Sequence, residues 1–151
     1  IKEEIGVKSR EITEQRNESI FTVQSNKIAN DLKKFGIVQN KTSIAYVPTL
    51  EDEELERHLI RGIFDGDGTV YIYKNKTLRF AFYGTTKLLE NLKQILIKDI
   101  DISNNKITEK ETVSLVGFSS KKDIMNFYKY IYSDATVYLK RKKKIFDDYL
   151  T

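Results

Sequence analysis

Apolar and polar positions change period several times along the chain, and each change predicts an element. Residues 1–6 read as the end of a helix closed by Gly6. Positions 8–14 and 18–24 alternate and read as a hairpin. Over 26–35, Ala29, Leu32 and Phe35 fall at helical spacing, and Gly36 stops that helix. Residues 40–46, NKTSIAY, are extended up to Pro48. Thr49 with Asp52 three places on resembles a capping box for a helix running to about 65, broken by Gly66 and Gly68. TVYIY at 69–73 and TLRFAFY at 77–83 have the aromatic and β-branched content of strands, with a short turn at 74–76. A helix over 86–98, strands near 105–110 and 113–119, a helix over 121–132 and a last helix near 138–149 complete the pattern. The complete unit therefore reads αββαββα, an α+β arrangement with an antiparallel sheet. On 69–73, Val70 and Ile72 point to one face, while Thr69, Tyr71 and Tyr73 point to the other. One face packs on helices and the other is open to a ligand.

The pattern also repeats. REITEQRNESIFTVQSNK at 10–27 aligns without a gap to NKITEKETVSLVGFSSKK at 105–122, an offset of 95 that carries Ser25 onto Ser120. Ile12, Thr13 and Glu14 fall on Ile107, Thr108 and Glu109, and Lys27 falls on Lys122. Ala29, Leu32 and Phe35 fall on Ile124, Phe127 and Tyr130, so both strand alternation and helix spacing are kept. The second copy has a front portion, about 53–95, whose counterpart would precede residue 1. The expected organisation is the back half of one repeat over 1–50 and a complete repeat over 51–151. A longer chain or a partner would supply the missing part.

Composition narrows the chemistry. The 151 residues contain no cysteine, which excludes disulfides, thiolate metal sites and cysteine nucleophiles. A single histidine, His58, excludes imidazole cages, and it reads as a helix surface residue without a role. A metal here would sit among oxygens, which favours a hard ion such as Mg²⁺ or Ca²⁺. No apolar run approaches the roughly 20 residues that cross a bilayer, so no membrane partner is expected. The net charge of +4 does not by itself imply nucleic acid. Its distribution is uneven, with EDEELE acidic at 51–56 and KRKKK basic at 140–144.

The densest chemistry lies in HLIRGIFDGDGTVYI, residues 58–72. Leu55, Leu59, Gly62 and Gly66 share one helix face, and Ile60, Ile63 and Phe64 make the helix end apolar nearly all round. Such a helix is buried on more than one side. Glycine inside a helix costs about 1 kcal/mol relative to alanine, so Gly62 on the packing face suggests a close approach by another helix. Asp65 and Asp67 follow where the chain enters a strand. Carboxylates beside apolar surface are costly unless paired, and a metal ion would pair them. An ordinary Asp-Gly turn is the plain alternative. A calcium loop counted from Asp65 fails, because Val70 stands at its glycine position and Lys76 at its closing glutamate.

IRGIFDGDG, residues 60–68, resembles the nine-residue signature of the LAGLIDADG homing endonucleases, sharing the glycine at the third place, both aspartates and the final glycine. SNKIANDLKKFGI with the following NKT and proline resembles the linker side of a first repeat. GTTKLLENLKQIL and FYKYIYSDATVYLKRKKKIF resemble the body and end of a second. The resemblance implies a homing-endonuclease-like fold in which two signature helices pack side by side and each sends its last aspartate to the active site. By motif position that aspartate is Asp67, holding Mg²⁺ with the backbone carbonyl of Gly66, while Asp65 takes a structural part. Basic residues near the phosphate would be Lys142 and, in the first repeat, Lys41, each with a catalytic part or a simple phosphate contact open to it.

Double-stranded DNA would lie across the open sheet face. Tyr71, Tyr73, Arg79, Lys74, Lys76, Lys106 and Lys110 are the candidates to meet it, the lysines holding phosphates and Arg79 reading a base edge. Partners would be DNA and either the missing N-terminal repeat or a second copy of the chain. The expected setting is cytoplasmic and nucleoid-associated, in a bacterial or phage-infected cell. Residues 1–52 hold no second signature, so one metal-binding aspartate alone should not cut two strands. A non-cleaving DNA-binding regulator, an RNA maturase on the same fold and a plain interaction module remain alternatives.

Overall fold

A computed structural model describes residues 13–15, 18–20, 22–34, 47–48, 50, 52–74 and 76–151. The chain divides into two compact units, Ile1–Val38 and Gln39–Thr151. In the first, β1 (Thr13–Gln15) pairs antiparallel with β2 (Glu18–Ile20), with Thr13 opposite Ile20. Helix α1 (Asn26–Lys34) follows, and Ser25 Oγ accepts the Ile28 N–H at 3.3 Å. The hairpin and helix thus fall close to where alternation and spacing place them. Helix 1–6, the stretch 40–46, Thr49 and Lys41 lie outside the described residues.

The second unit opens with α2 (Glu53–Asp67). Its N-cap is Asp52, whose carboxylate accepts the Glu54 N–H at 2.8 Å, so Asp52 is the cap itself rather than the far member of a box begun by Thr49. The helix runs through Gly66 and stops at Gly68, whose N–H reaches the Phe64 carbonyl at 2.9 Å. A Cβ on Gly68 would collide with the Phe64 ring and carbonyl. This close approach is why the helix-to-strand exit needs glycine there.

Strands β3 (Thr69–Ile72), β4 (Leu78–Gly84) and β5 (Ser114–Phe118) form an antiparallel sheet in the order β3-β4-β5. The register sets Val70 opposite Phe80, Phe80 opposite Phe118 and Phe82 opposite Val116. Helices α3 (Thr86–Ile100), α4 (Lys121–Tyr132) and α5 (Lys140–Leu150) complete the unit, with Thr85 and Ser120 side chains capping α3 and α4. The fold is α+β, with a three-stranded sheet and five helices among the described residues. None of those helices is long and apolar enough to cross a membrane.

Two expectations change. The strand near 105–110 is reduced to one bridge, Thr108 with Leu115. Asn105 explains the loss: its side-chain amide donates to the Gly117 carbonyl at 2.8 Å, taking an acceptor that a strand backbone would use. Ile72, the last residue of β3, is not covered like Val70: it is 47% exposed although its cross-strand partner Leu78 is fully buried.

The inner face of the sheet and the helices meet in an aromatic core. Phe80 stacks on Phe127 at 4.4 Å and on Phe118 at 5.1 Å. Phe64 of α2 sits edge-on to Phe127 at 5.0 Å and to Phe82 at 5.4 Å. Phe64 is fully buried, so the last turn of α2 is fixed to the sheet one residue before the DGD sequence begins. Positions 95 apart also take equal places in the two units. Thr108 and Leu115 pair as Thr13 and Ile20 do, and Ser120 caps α4 through the Asp123 N–H at 3.0 Å as Ser25 does α1 through Ile28.

Candidate active site

The two aspartates at the end of α2 have opposite environments. Asp65 is engaged by both oxygens. Oδ2 accepts the Leu139 N–H at 2.8 Å and Oδ1 accepts the Tyr132 hydroxyl at 3.3 Å. Burial, helped by the Asp65 charge and hydrogen bond, pushes the Tyr132 phenol well above its ordinary value, so it stays a donor across the physiological range. Asp67 is exposed, and its carboxylate makes no hydrogen bond or ion pair among the described residues. Geometry therefore gives Asp65 to the fold and leaves Asp67 open to a ligand.

Lys142 turns inward. It is 2% exposed, and its ammonium faces the interior. Nζ donates to the Phe64 carbonyl at 2.6 Å, to the Asp65 carbonyl at 3.0 Å and to the Gly68 carbonyl. An ammonium has three protons, and all three are spent on main chain. Of these acceptors, the Asp65 carbonyl lies in the last turn of α2, where carbonyls lack intrahelical partners, and the Phe64 carbonyl is shared with the Gly68 N–H, so a cation is stable there. The Phe64 ring lies 5.1 Å from the charge. Burial pushes the Lys142 ammonium below its ordinary pKa, Arg141 adds to the fall, and Asp65 and Asp67 oppose it.

Arg61 is also buried and donates to the Ile131 carbonyl at 3.1 Å, tying the middle of α2 to the end of α4. His58 is partly covered rather than simply on the surface. Its Nδ1 is buried without a hydrogen-bond partner among the described residues, beside a cavity of about 350 Å³ lined also by Gly62, Asp65 and Tyr138.

On the packing face, Leu55 is 54% exposed, Leu59 is half-buried, and Gly62 and Gly66 are exposed with nothing within 4 Å of an added Cβ. The glycine-bearing face of α2 thus presents open backbone within this unit. The side of β3 and β4 away from the core carries Tyr71 and Tyr73, 42% and 45% exposed, with Arg79 opposite Tyr71. The Arg79 guanidinium lies 4.5 Å from the centre of the Tyr73 ring, a cation–π contact that limits its freedom. Lys74 and Lys76 are exposed at the adjoining turn, where Lys76 takes a positive φ of 62°. Lys106 and Lys110 are exposed on the irregular segment joined to the sheet by the Thr108–Leu115 bridge and the Asn105 side chain. The structure therefore groups Tyr71, Tyr73, Lys74, Lys76 and Arg79, and sets Lys106 and Lys110 on a separate, irregular stretch.

The basic run 140–144 is mixed in character. Lys143 and Lys144 pair with Asp147 and Asp148 at 2.9 and 2.8 Å, whereas Lys140 and Arg141 are exposed at the start of α5. Contiguity in the sequence hid which positions of the run face inward: Lys140, Arg141 and Lys144 are exposed, while Lys142 is buried.

An oxygen-only donor set at the end of α2 suits a hard divalent ion. Mg²⁺ uses one or two carboxylates, keeps several waters and takes substrate phosphate oxygens. Asp67 supplies one such carboxylate. Among the described residues no three His, Cys, Asp or Glu side chains gather into a complete site.

No family model matches the chain, and no curated protein matches its sequence. Among solved structures it is similar to a crystal structure of an I-DmoI variant in complex with its target DNA and in the presence of manganese. The identity is 19%, the match covers 62% of this chain and 72% of that one, and the TM-score is 0.34.

Proposed function

We propose that this chain is the catalytic back part of a site-specific, metal-dependent endonuclease of double-stranded DNA, built on a LAGLIDADG-like repeat. The observation that carries the reading is the contrast at the end of α2: Asp65 is consumed by Leu139 and Tyr132, while Asp67, two residues on, offers a free carboxylate at the entrance to β3. Asp67, with the Gly66 carbonyl, would hold Mg²⁺. An ion held there supplies charge at the scissile phosphate and lowers the pKa of a water. The chain's own work is to fix Asp67 and to orient the duplex. Tyr71, Tyr73 and Arg79 would face the major groove, with Lys74, Lys76, Lys106 and Lys110 on the phosphates.

One carboxylate per signature helix means the paired cut needs a second helix. The open face of Leu55, Leu59, Gly62 and Gly66 suits a close helix–helix contact, supplied by an N-terminal repeat or a second copy. The matching places of residues 95 apart support a chain of one complete repeat preceded by the back half of another. Lys41, in that earlier half, remains a candidate phosphate contact. The test is Mg²⁺-dependent cleavage of DNA carrying an uninterrupted insertion site, by the protein joined to its upstream coding sequence. Cutting that disappears in Asp67→Asn supports the nuclease. Binding without cutting would replace it with a regulator, and preference for structured intron RNA would replace it with a maturase.

A further inference from the structure

We propose that Lys142 is the positioning residue of this site: its buried ammonium sets the last turn of α2, and so the place of Asp67, and meets no phosphate itself. Three observations carry this. The ammonium has three protons and three main-chain acceptors, on Phe64, Asp65 and Gly68. Those acceptors flank Gly66 and Asp67 on both sides, so one side chain fixes the chain before and after the ligating residue. The lysine is closed off from solvent, whereas Lys140 and Arg141, two places and one place earlier, are exposed.

The contact is also reciprocal. Lys142 caps the carbonyl end of α2, while Asp65 caps the start of α5 by accepting the Leu139 N–H at 2.8 Å. No other side chain caps α5 there. A helix carbonyl end draws a cation and a helix amide end draws an anion, so each charge stabilises the other's helix. The tripod of carbonyls suits a compact ammonium rather than a planar guanidinium, whose donors diverge in a fixed fork. The inference that Asp67 is placed for an ion rests on the proposed function; the inference that Lys142 fixes 64–68 does not.

The test uses the whole chain with Lys142→Met and Lys142→Gln, the second retaining a donor without the charge. Amide hydrogen exchange should rise at least tenfold over residues 66–70 in Lys142→Met and stay within twofold in α3 and β4. Lys142→Gln should fall between. In the folded variants, Mn²⁺ titration should show at least fivefold weaker binding at the Asp67 amide than in the parent chain. Salt dependence of binding to a mixed-sequence duplex separates the roles further. Its log–log slope should be unchanged in Lys142→Gln, since removing a phosphate contact would lower the slope by about one.

Unchanged exchange at 66–70 would overturn the positioning role, as would a slope lowered in Lys142→Gln. Failure of both Lys142 variants to fold would assign the residue to stability alone and overturn it too. If the parent chain binds neither Mn²⁺ at Asp67 nor duplex, the nuclease reading fails, while the exchange result still decides the positioning.

Discussion

Asp65 and Lys142 cap each other's helices across 77 residues of sequence: the carboxylate of Asp65 holds the amide of Leu139, the N-cap of α5, and the ammonium of Lys142 holds the Phe64 and Asp65 carbonyls in the last turn of α2. Neither charge meets the other directly. The ammonium is satisfied by main chain and the carboxylate by main chain and the Tyr132 hydroxyl, which offsets the desolvation that makes buried charges costly. The result is a rigid exit from α2 on which Asp67 is free.

Asp67→Asn should leave stability within about 0.5 kcal/mol of the parent, because an exposed side chain without partners contributes little to folding. Asp65→Asn should destabilise by about 1–3 kcal/mol, since Leu139 and Tyr132 lose a charged acceptor in a partly buried place. Urea denaturation of the two variants in parallel checks this. Equal losses would contradict the division of labour between the aspartates.

Phe64→Ala should cost about 3–5 kcal/mol, the usual range for a buried phenylalanine with several aromatic neighbours. It should also loosen the carbonyls that Lys142 holds. Thermal unfolding gives the first effect, and amide exchange at Gly68 gives the second.

Gly68→Ala should destabilise by about 1–3 kcal/mol through overpacking, because the new methyl meets the Phe64 ring and backbone. Gly62→Ala should not harm this chain alone, since nothing lies within 4 Å of the new atom. It should weaken association with any helix that packs there. Denaturation curves and sedimentation separate the two outcomes.

Arg79→Ala should weaken specific duplex binding by about 1–3 kcal/mol and relax preference at one base pair. Lys74→Ala should weaken binding evenly across sequences. Fluorescence anisotropy on a substituted target panel distinguishes them. An even loss in both variants would remove Arg79 as a base reader.

Asp147 sets a pH-dependent contribution. Burial works against its carboxylate, but hydrogen bonds from Lys143 and Tyr128, at 2.9 and 2.7 Å, outweigh it and hold the pKa below the ordinary 3.8. A lowered folded-state pKa favours the fold above the unfolded value and loses that advantage as pH falls through the folded one. The stability difference between the parent and Asp147→Asn should therefore be constant near neutrality and shrink below pH 3.8. Acid titration of urea midpoints measures it.

Much of this architecture is legible in local sequence because it depends on local pattern. Alternation marks β3 and β4, and the spacing of Ile124, Phe127 and Tyr130 marks α4. The DGDG run is visible as chemistry. The separate fates of Asp65 and Asp67 are not, because they depend on Leu139 and Tyr132, far along the chain. The inward turn of Lys142 is hidden for the same reason, inside a run of five basic residues whose members differ only in the helix face they take. The loss of the strand near 105–110 turns on one side chain, Asn105, competing with backbone for the Gly117 carbonyl.

Mn²⁺ titrated into the ¹⁵N-labelled chain tests the ion-binding carboxylate most directly. Paramagnetic broadening should begin at the amides of Gly66, Asp67 and Gly68 and vanish there in Asp67→Asn. Broadening that starts at the acidic run 51–56, or that persists at 66–68 without the Asp67 carboxylate, would contradict the account.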